Sequence, residues 1–185
     1  MRESKWEARS RRARELAADY PFAAEALGFY ERIACFQKSL YLFCEGECGT
    51  ENAVRLPGSL RDELDISILL PRFGSFLSMI DEHAPGPLSS VAVELRAEGV
   101  GRWQEELAGF WRGNGTESAD RTNAISILAW TFLQPYAEYL ADHTQTPWLD
   151  GTPRECPLCG GMPQVGVLRP EGDGAKRSLI CSLCS

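Results

Sequence analysis

Four cysteines near the end of the sequence are arranged as two closely spaced pairs. Cys156 and Cys159 enclose Pro-Leu, and Cys181 and Cys184 enclose Ser-Leu. Two C-x-x-C units joined by a glycine-containing hairpin supply the ligands of a tetrahedral site with four sulfur atoms. We therefore expect Cys156, Cys159, Cys181 and Cys184 to bind one metal ion. Thiolate ligands suit both zinc and iron, so the spacing leaves the choice between these metals open.

The residues around the pairs support this prediction. Gly160 follows the first pair at a position that often needs a positive φ, which glycine adopts without steric cost. Four protein ligands fill a tetrahedral site and leave no position for a substrate, so the ion is expected to be structural, or redox-responsive if it is iron. By analogy with zinc-finger peptides, its binding would contribute on the order of 10 kcal/mol to the folding of this segment.

Two other uses of the paired cysteines stay open as alternatives. They could be unliganded or form two disulfides, although a total of seven cysteines and a reducing compartment disfavour a disulfide framework. They could also serve a thiol redox enzyme that acts through Cys156 and Cys159, but no strand-helix context surrounds either pair. The sequence has no nucleophile elbow, phosphate-binding loop or dinucleotide fingerprint, so we expect no catalytic residues and no enzyme activity.

The remaining cysteines and the two histidines show weaker patterns. Cys44 and Cys48 could form a second metal pair, but without further ligands nearby we expect helix-end packing for Cys44 and a free thiol for Cys48. Cys35 lies among apolar residues and is expected to belong to the core. His83 and His143 match no metal-binding motif, so we expect surface or loop-anchoring roles for both.

Composition and charge limit the class of protein and its partners. The chain has 185 residues, 44% of them hydrophobic, and a net charge of -7 that disfavours electrostatic binding of nucleic acid. No apolar run reaches the roughly 18 residues of a membrane-spanning helix, so we expect no membrane insertion. The segment MRESKWEARSRRAREL lacks the apolar core of a secretory signal, and no apolar stretch follows its paired arginines. A cytoplasmic location is the resulting expectation.

Helical periodicity dominates the sequence before the cysteine pairs. Apolar residues recur at helical spacing over residues 5–19 and again over residues 21–45. Residues 65–87 carry apolar side chains on several faces and contain two helix breakers, Pro71 and Gly74. This third segment is therefore expected to form a buried or broken helix.

Three further helices are predicted before the cysteine pairs begin. Two short ones meet near Gly99 and Gly101, and Ser89 or Ser90 is a plausible cap for the first of them. The next helix has one strong apolar face and contains Pro135. We expect this proline to kink or divide the helix, because its ring removes a hydrogen bond and contacts the preceding turn.

The sequence divides into two parts. Residues 1–145 are predicted to form a helical partner-binding domain, and residues 146–185 a linker and the four-cysteine metal-binding module. The module has too few large apolar residues for a core, so we expect it to need a metal ion, disulfides or a partner to hold together. Trp148 in the linker could press it against the helices. The predicted fold class is mainly α, a helical bundle followed by a small rubredoxin-like or zinc-ribbon β module.

Three segments together resemble the formate dehydrogenase accessory protein family, FdhE. They are FYERIACFQKSL and FLQPYAEYLA in the helical part and CPLCGGMPQVGVLRPEGDGAKRSLICSLC in the cysteine part. The opening C-P-x-C-G-x-x-P and the closing C-S-L-C of the last segment are the most diagnostic. The resemblance extends from about Trp6 to Cys184.

The resemblance implies a cytoplasmic maturation factor that binds the catalytic subunit of a respiratory, molybdenum- or tungsten-containing formate dehydrogenase before export by the twin-arginine route. It implies a helical domain joined to rubredoxin-like modules that bind iron, and it gives the metal-binding role to Cys156, Cys159, Cys181 and Cys184. Family members continue with a second such module, which a chain ending at Ser185 is expected to lack. An acidic helical bundle could receive the basic and apolar signal region of the catalytic subunit.

One different function stays open as the alternative, namely a zinc-ribbon protein that binds nucleic acid or a transcription complex. The near-neutral cysteine module and the acidic helical part weigh against it. We therefore expect a formate dehydrogenase catalytic subunit, and no nucleic acid, as the partner. The sequence leaves open whether the chain also forms a homo-oligomer.

Overall fold

The structure of the protein is a computed structural model that describes residues 4–48, 65–112, 120–144, 154–172 and 174–184. These ranges contain α-helices followed by one antiparallel β-hairpin, which confirms the predicted mainly α fold with a small β module. The helices are α1 (Lys5–Asp19), α2 (Ala24–Cys48), α3 (Leu70–His83), α4 (Gly86–Glu98), α5 (Val100–Trp111) and α6 (Asp120–Asp142). The strands are β1 (Pro163–Glu171) and β2 (Gly174–Cys181). None of the described helices combines the length and the apolar character needed to cross a membrane.

A capping box starts α1. The hydroxyl oxygen of Ser4 accepts a hydrogen bond from the amide of Glu7 at 3.2 Å, and the Glu7 carboxylate accepts one from the amide of Ser4 at 3.0 Å. This exchange satisfies two N–H groups that a helix end otherwise leaves without partners. A short 3₁₀ turn over Pro21–Ala23 then separates α1 from α2, so that α2 begins at Ala24 and not at the predicted residue 21.

The core of the helical part contains an aromatic cluster between α3 and α6. Phe73 and Phe76 of α3 and Phe132 of α6 are all buried. The ring centroid of Phe132 lies 4.8 Å from that of Phe73 and 5.4 Å from that of Phe76. Each such aromatic pair adds about 1 kcal/mol beyond the area that it buries. Phe36 of α2 completes the cluster and brings a third helix into it.

Of the two expectations for the third helix, buried or broken, the structure confirms the first, because α3 is buried on one face and neither breaker interrupts it. Pro71 occupies the first turn, where its missing N–H group is not needed. Gly74 lies inside the helix beside Trp103 of α5, and a β-carbon at Gly74 would come within 3.2 Å of the indole ring. The glycine therefore permits the close approach of α5 to α3.

The predicted cap of α4 is wrong. The helix begins at Gly86, so Ser89 and Ser90 lie inside it. The hydroxyl group of Ser89 instead donates to the backbone oxygen of Asp81 at 3.1 Å, which links α4 to α3. At its other end α4 stops at Gly99, with φ of 84°, and α5 follows directly, as predicted from the glycines there.

Helix α6 continues through Pro135, so the prediction that this proline could divide the helix is wrong. Proline has no N–H group to donate to the carbonyl of Thr131, four residues earlier. The side-chain amide of Gln37, on α2, donates to that carbonyl at 2.8 Å in a buried contact. A side chain from a neighbouring helix thus replaces the missing backbone donor.

A buried carboxylate ties α1 to α6. The side chain of Glu138 is fully buried, and its two oxygens lie 2.8 Å from Lys5 Nζ and 3.0 Å from Arg9 Nη2. One turn later, Asp142 accepts hydrogen bonds from Lys5 and from the Tyr41 hydroxyl group, both at 2.8 Å. Burial and the contact with Asp142 raise the pKa of Tyr41. Because a buried charge without its partner is strongly destabilising, these contacts hold α1 in place.

The role of Gln37 predicts a specific double-mutant result. The substitution Gln37→Leu leaves the Thr131 carbonyl buried without a donor and is expected to lower the free energy of unfolding by about 1–3 kcal/mol. In a Pro135→Ala background the alanine N–H group supplies the missing hydrogen bond, so the same substitution should cost less than about 1 kcal/mol. Urea unfolding of the single and double variants measures both costs. Equal costs in the two backgrounds would contradict this role.

Candidate metal centre

The β-hairpin brings the two cysteine pairs to its open end. Strands β1 and β2 are antiparallel, with Pro163 opposite Cys181 and Glu171 opposite Gly174. Gly172 in the connecting turn has φ of 58°, in the left-handed region that glycine adopts without steric cost. Because antiparallel strands run back along each other, the turn before β1 and the turn after β2 meet at the same end.

The first cysteine pair lies in a tight turn just before β1. The amide of Gly160 donates to the carbonyl of Cys156 at 2.8 Å, and the amide of Cys156 donates to the carbonyl of Gly161 at 2.7 Å. Gly160 has φ of 66°, as its position after Cys159 predicts. The two hydrogen bonds close the turn around the pair.

The second cysteine pair lies in a turn directly after β2. The amide of Leu183 donates to the sulfur of Cys181 at 3.4 Å, a contact that favours the thiolate form. The amide of Ser182 donates to the carbonyl of Met162 at 3.3 Å. This last bond joins the second turn to Met162, which lies between the first turn and β1.

The four sulfur atoms converge. All of them lie within 4.8 Å of one another, and the distances from Cys156 to Cys184 and from Cys159 to Cys181 are both 3.4 Å. Sulfur atoms bound tetrahedrally to zinc at about 2.3 Å would be about 3.8 Å apart, so the cluster has the dimensions of such a site. The cysteines are free thiols and form no disulfide. The predicted convergence is confirmed, and the four residues lie close enough to hold one metal ion.

The four thiols perturb one another strongly. Hydrogen bonding from the Cys159 thiol is the main reason that the pKa of Cys156 is lowered to about 6. The pKa of Cys181 is lowered as well, because the neighbouring thiols of Cys156, Cys159 and Cys184 stabilise its thiolate. The pKa values of Cys159 and Cys184 are raised, mainly by hydrogen bonding with the neighbouring thiols, which favours their protonated form. Without a cation the cluster therefore retains protons, and a bound metal ion would take their place.

Gly161 leaves the space that the sulfur atoms occupy. A β-carbon at this position would lie 3.1 Å from the sulfur of Cys181 and 3.2 Å from that of Cys159. Both distances are shorter than ordinary van der Waals contacts. Any larger residue at Gly161 would push apart sulfur atoms from the two different turns.

The second turn packs on helix α6. The indole N–H group of Trp130 donates to the carbonyl of Ser182 at 2.8 Å. Leu183 and Cys184 are buried and belong to the same apolar cluster as the core of the helical part. Sequence analysis gave this docking role to Trp148, which lies outside the described residues. The division of the chain after residue 145 also falls there and stays a prediction.

Sequence reasoning missed both Gly161 and Trp130. The only local signal for Gly161 was the pair of adjacent glycines after Cys159, and only one of them was interpreted. Trp130 is far from the cysteines in the chain, and packing of the apolar face of its helix was a sufficient explanation for a tryptophan there. The spacing of residues along the chain therefore gave no indication of its contact with Ser182.

The other candidate residues lie apart from this cluster. Among the described residues, the paired cysteines form the one group of three or more potential ligands close enough to share a metal ion. Cys44 is buried in the last turns of α2, as expected, and the side chain of Cys48 is outside the description. The prediction that Cys35 belongs to the core is wrong, because this residue is exposed and its sulfur lies 3.8 Å from the Ser10 hydroxyl.

The two histidines lie at helix ends. His83 is the last residue of α3, and its Nε2 lies 3.6 Å from the carboxylate of Glu82. His143 follows α6, and its Nδ1 lies 2.8 Å from the carbonyl of Tyr139. The contact of His143 agrees with the predicted anchoring role, whereas an anchoring role of His83 stays a prediction.

Comparison with known proteins does not assign a family or a function to this metal centre. No family model, curated protein or solved structure matches the chain. The chemistry of the centre is therefore inferred from its donor set. Four thiolates make a closed site suited to zinc or iron and leave no coordination position for a substrate.

The position of Gly161 predicts a selective loss of metal affinity. The substitution Gly161→Ala should weaken zinc binding by about tenfold or more, because it displaces two ligand sulfurs. Gly166→Ala is the matched control in the same module, since the nearest atom to its new β-carbon is Leu179 Cδ2 at 4.0 Å. Competition with a chromophoric chelator measures both affinities. Equal losses in the two variants would contradict the steric role of Gly161.

A bound ion should also protect the paired cysteines from a thiol reagent. In zinc-loaded protein, Cys35 is expected to react readily because it is exposed, whereas Cys156, Cys159, Cys181 and Cys184 should not react. A strong chelator should make all four reactive and abolish the circular dichroism signal of the hairpin, since metal binding provides its folding energy. Thiol titration before and after chelation checks this. If the four paired cysteines remain unreactive toward the thiol reagent after chelation, their protection does not depend on a bound metal ion, which would contradict the prediction.

Proposed function

We propose that this protein is a metal-binding accessory factor that holds the catalytic subunit of a respiratory formate dehydrogenase and assists its assembly before export. The observation that carries this proposal is the convergence of four thiols in a closed cluster that is packed against a helical body. A closed donor set suits a structural or redox-responsive ion in a binding protein, whereas hydrolytic metal chemistry needs an open coordination position.

The identity of the partner is inferred from the resemblance of the sequence to the accessory protein family. The cysteine segment of that resemblance corresponds to the hairpin with its two turns, and FLQPYAEYLA corresponds to the part of α6 around Pro135. One of the resembling segments thus carries the thiol cluster and another belongs to the helix on which the cluster rests. The proposed role therefore involves both parts of the chain together.

The proposed ion is one iron or zinc. Zinc would fix the two turns without taking part in redox chemistry. Iron in the same four thiolates could also respond to the redox state of the immature subunit. Cytoplasmic residence, before the partner is exported, is part of the proposal.

The acidic character of the chain supports a basic and apolar target. The net charge is -7, and a twin-arginine signal is basic at its start and apolar afterwards. Grooves between amphipathic helices accept apolar segments, and complementary charge speeds and orients the encounter. Binding through this complementarity should weaken as salt is raised.

Co-purification tests the proposal directly. We expect tagged full-length protein, co-expressed with a formate dehydrogenase catalytic subunit, to retain that subunit, and elemental analysis to find one iron or zinc ion per chain. The double variant Cys156→Ser/Cys184→Ser should lose the ion and retain about tenfold less subunit, whereas Cys35→Ser, at an exposed cysteine outside the cluster, should behave as wild type.

Three results would count against the proposal in different ways. Failure to retain the subunit at low salt would remove the proposed partner. Retention that does not change with salt or with loss of the ion would remove the proposed roles of charge and metal. Retention of nucleic acid at physiological salt would favour the zinc-ribbon alternative.

A further inference from the structure

The β-hairpin projects a surface that the thiol cluster does not use. Neither strand has an extended contact with a described helix, and most of their side chains are exposed. Leu168 and Leu179 are large apolar residues with 64% and 67% of their surface exposed. Exposed apolar residues grouped on a small element mark an interaction surface more often than scattered ones do.

Cations lie beside these apolar residues. Arg169 is directly opposite Lys176, and Arg177 is directly opposite Leu168. Like charges placed opposite each other destabilise a strand pair. No ion pair joins Arg169, Lys176 or Arg177 to a carboxylate among the described residues. Three cations without an ion-pair partner among the described residues therefore lie in the half of the hairpin next to its turn, where an added carboxylate would be favourable.

The two edges of the hairpin differ. No third strand pairs with β1 or β2 in the described part of the chain, so both edges present free backbone groups. Strand β1 contains Pro163 and Pro170, which have no N–H group to donate, whereas β2 contains no proline. An added strand would accordingly pair with β2.

We propose that β2 binds an extended peptide segment by strand addition, and that this segment carries two neighbouring acidic residues, one spacer and two neighbouring aliphatic residues. The order of residues along β2 dictates the pattern. Lys176 and Arg177 come first, Ser178 follows, and Leu179 and Ile180 come last. Each residue of an added strand lies beside one residue of β2, so carboxylates meet the cations while aliphatic side chains meet Leu179 and Ile180. Backbone hydrogen bonds would supply affinity and these side chains specificity.

Two other occupants fit the surface less well. A second copy of the chain, pairing β2 with β2 about Ser178, would place the cations against Leu179 and Ile180 and would bring them no carboxylate. Single-stranded nucleic acid would supply phosphates, but residues 154–185 contain no aromatic side chain on which bases could stack. The surface therefore favours an acidic and aliphatic protein segment. This inference goes beyond the proposed function, since it does not require the partner to be a formate dehydrogenase.

Labelled peptides test the inference on zinc-loaded full-length protein. The probes are VVTEE and EETVV with Gly-Ser flanks, together with VVTKK and a VVTEE peptide whose alternate backbone amides are N-methylated. Fluorescence anisotropy should show binding of at least one glutamate peptide and about tenfold or more weaker binding of the lysine and N-methylated peptides, equal to about 1.4 kcal/mol or more.

Charge reversal in the protein provides the matched controls. The variant Lys176→Glu/Arg177→Glu should lose about tenfold in affinity for the glutamate peptide and gain affinity for VVTKK, a rescue that an unfolded hairpin could not produce. Arg112→Glu, at an exposed cation on the helical body, should bind the glutamate peptide as wild type does.

Several outcomes would overturn the inference while leaving the proposed function intact. Binding that is insensitive to N-methylation would exclude strand addition. A dimer that dissociates in the charge-reversed variant would identify a second copy as the occupant. Tighter binding of oligothymidylate than of either glutamate peptide would identify nucleic acid as the occupant. If no probe binds, the proposed peptide is not a ligand of this surface. Conversely, loss of subunit retention in co-purification with intact peptide binding would count against the proposed function alone.

Discussion

Four sulfur atoms that would repel one another as thiolates must lie within a few ångströms, and the C-terminal module is arranged around that requirement. Antiparallel pairing of β1 and β2 brings the two turns together, and Gly161 leaves room where a β-carbon would displace the sulfurs. A bound cation would offset the repulsion between four thiolates. Because the strands bury few side chains, the stability of the module has to come from this end.

Helix α6 links that module to the rest of the protein. It contributes Phe132 to the aromatic core, Glu138 to the ion pairs with α1, and Trp130 to the second cysteine turn. Its own backbone contains Pro135, which would leave a buried carbonyl unpaired without Gln37 from α2. Contacts with α1, α2, α3 and the second cysteine turn therefore converge on this one helix.

Sequence patterns predicted the features that depend on residues adjacent in the chain. They did not predict contacts between residues that are distant in the chain. The C-x-x-C spacing and Gly160 were interpretable because a tight turn is specified by adjacent residues. The division that the sequence offered as one effect of Pro135 does not occur, and the donor that replaces its missing N–H group, Gln37, lies on another helix. Cys35 was placed in the core from its apolar neighbours, yet on a helix the next residue is rotated by about 100°, so Cys35 faces outward while Ala34 is buried.

The hydrogen bond from Trp130 to Ser182 joins the second cysteine turn directly to α6. Leu183 and Cys184, beside this bond, belong to the same apolar cluster as the helical core, so binding of an ion by the four cysteines would be coupled to the packing of α6. Coupling of this kind is reciprocal. Strain in α6 would therefore weaken the binding of an ion in the four-cysteine cluster, and binding of such an ion would in turn stabilise the position of α6 and of α1, which Glu138 joins to it.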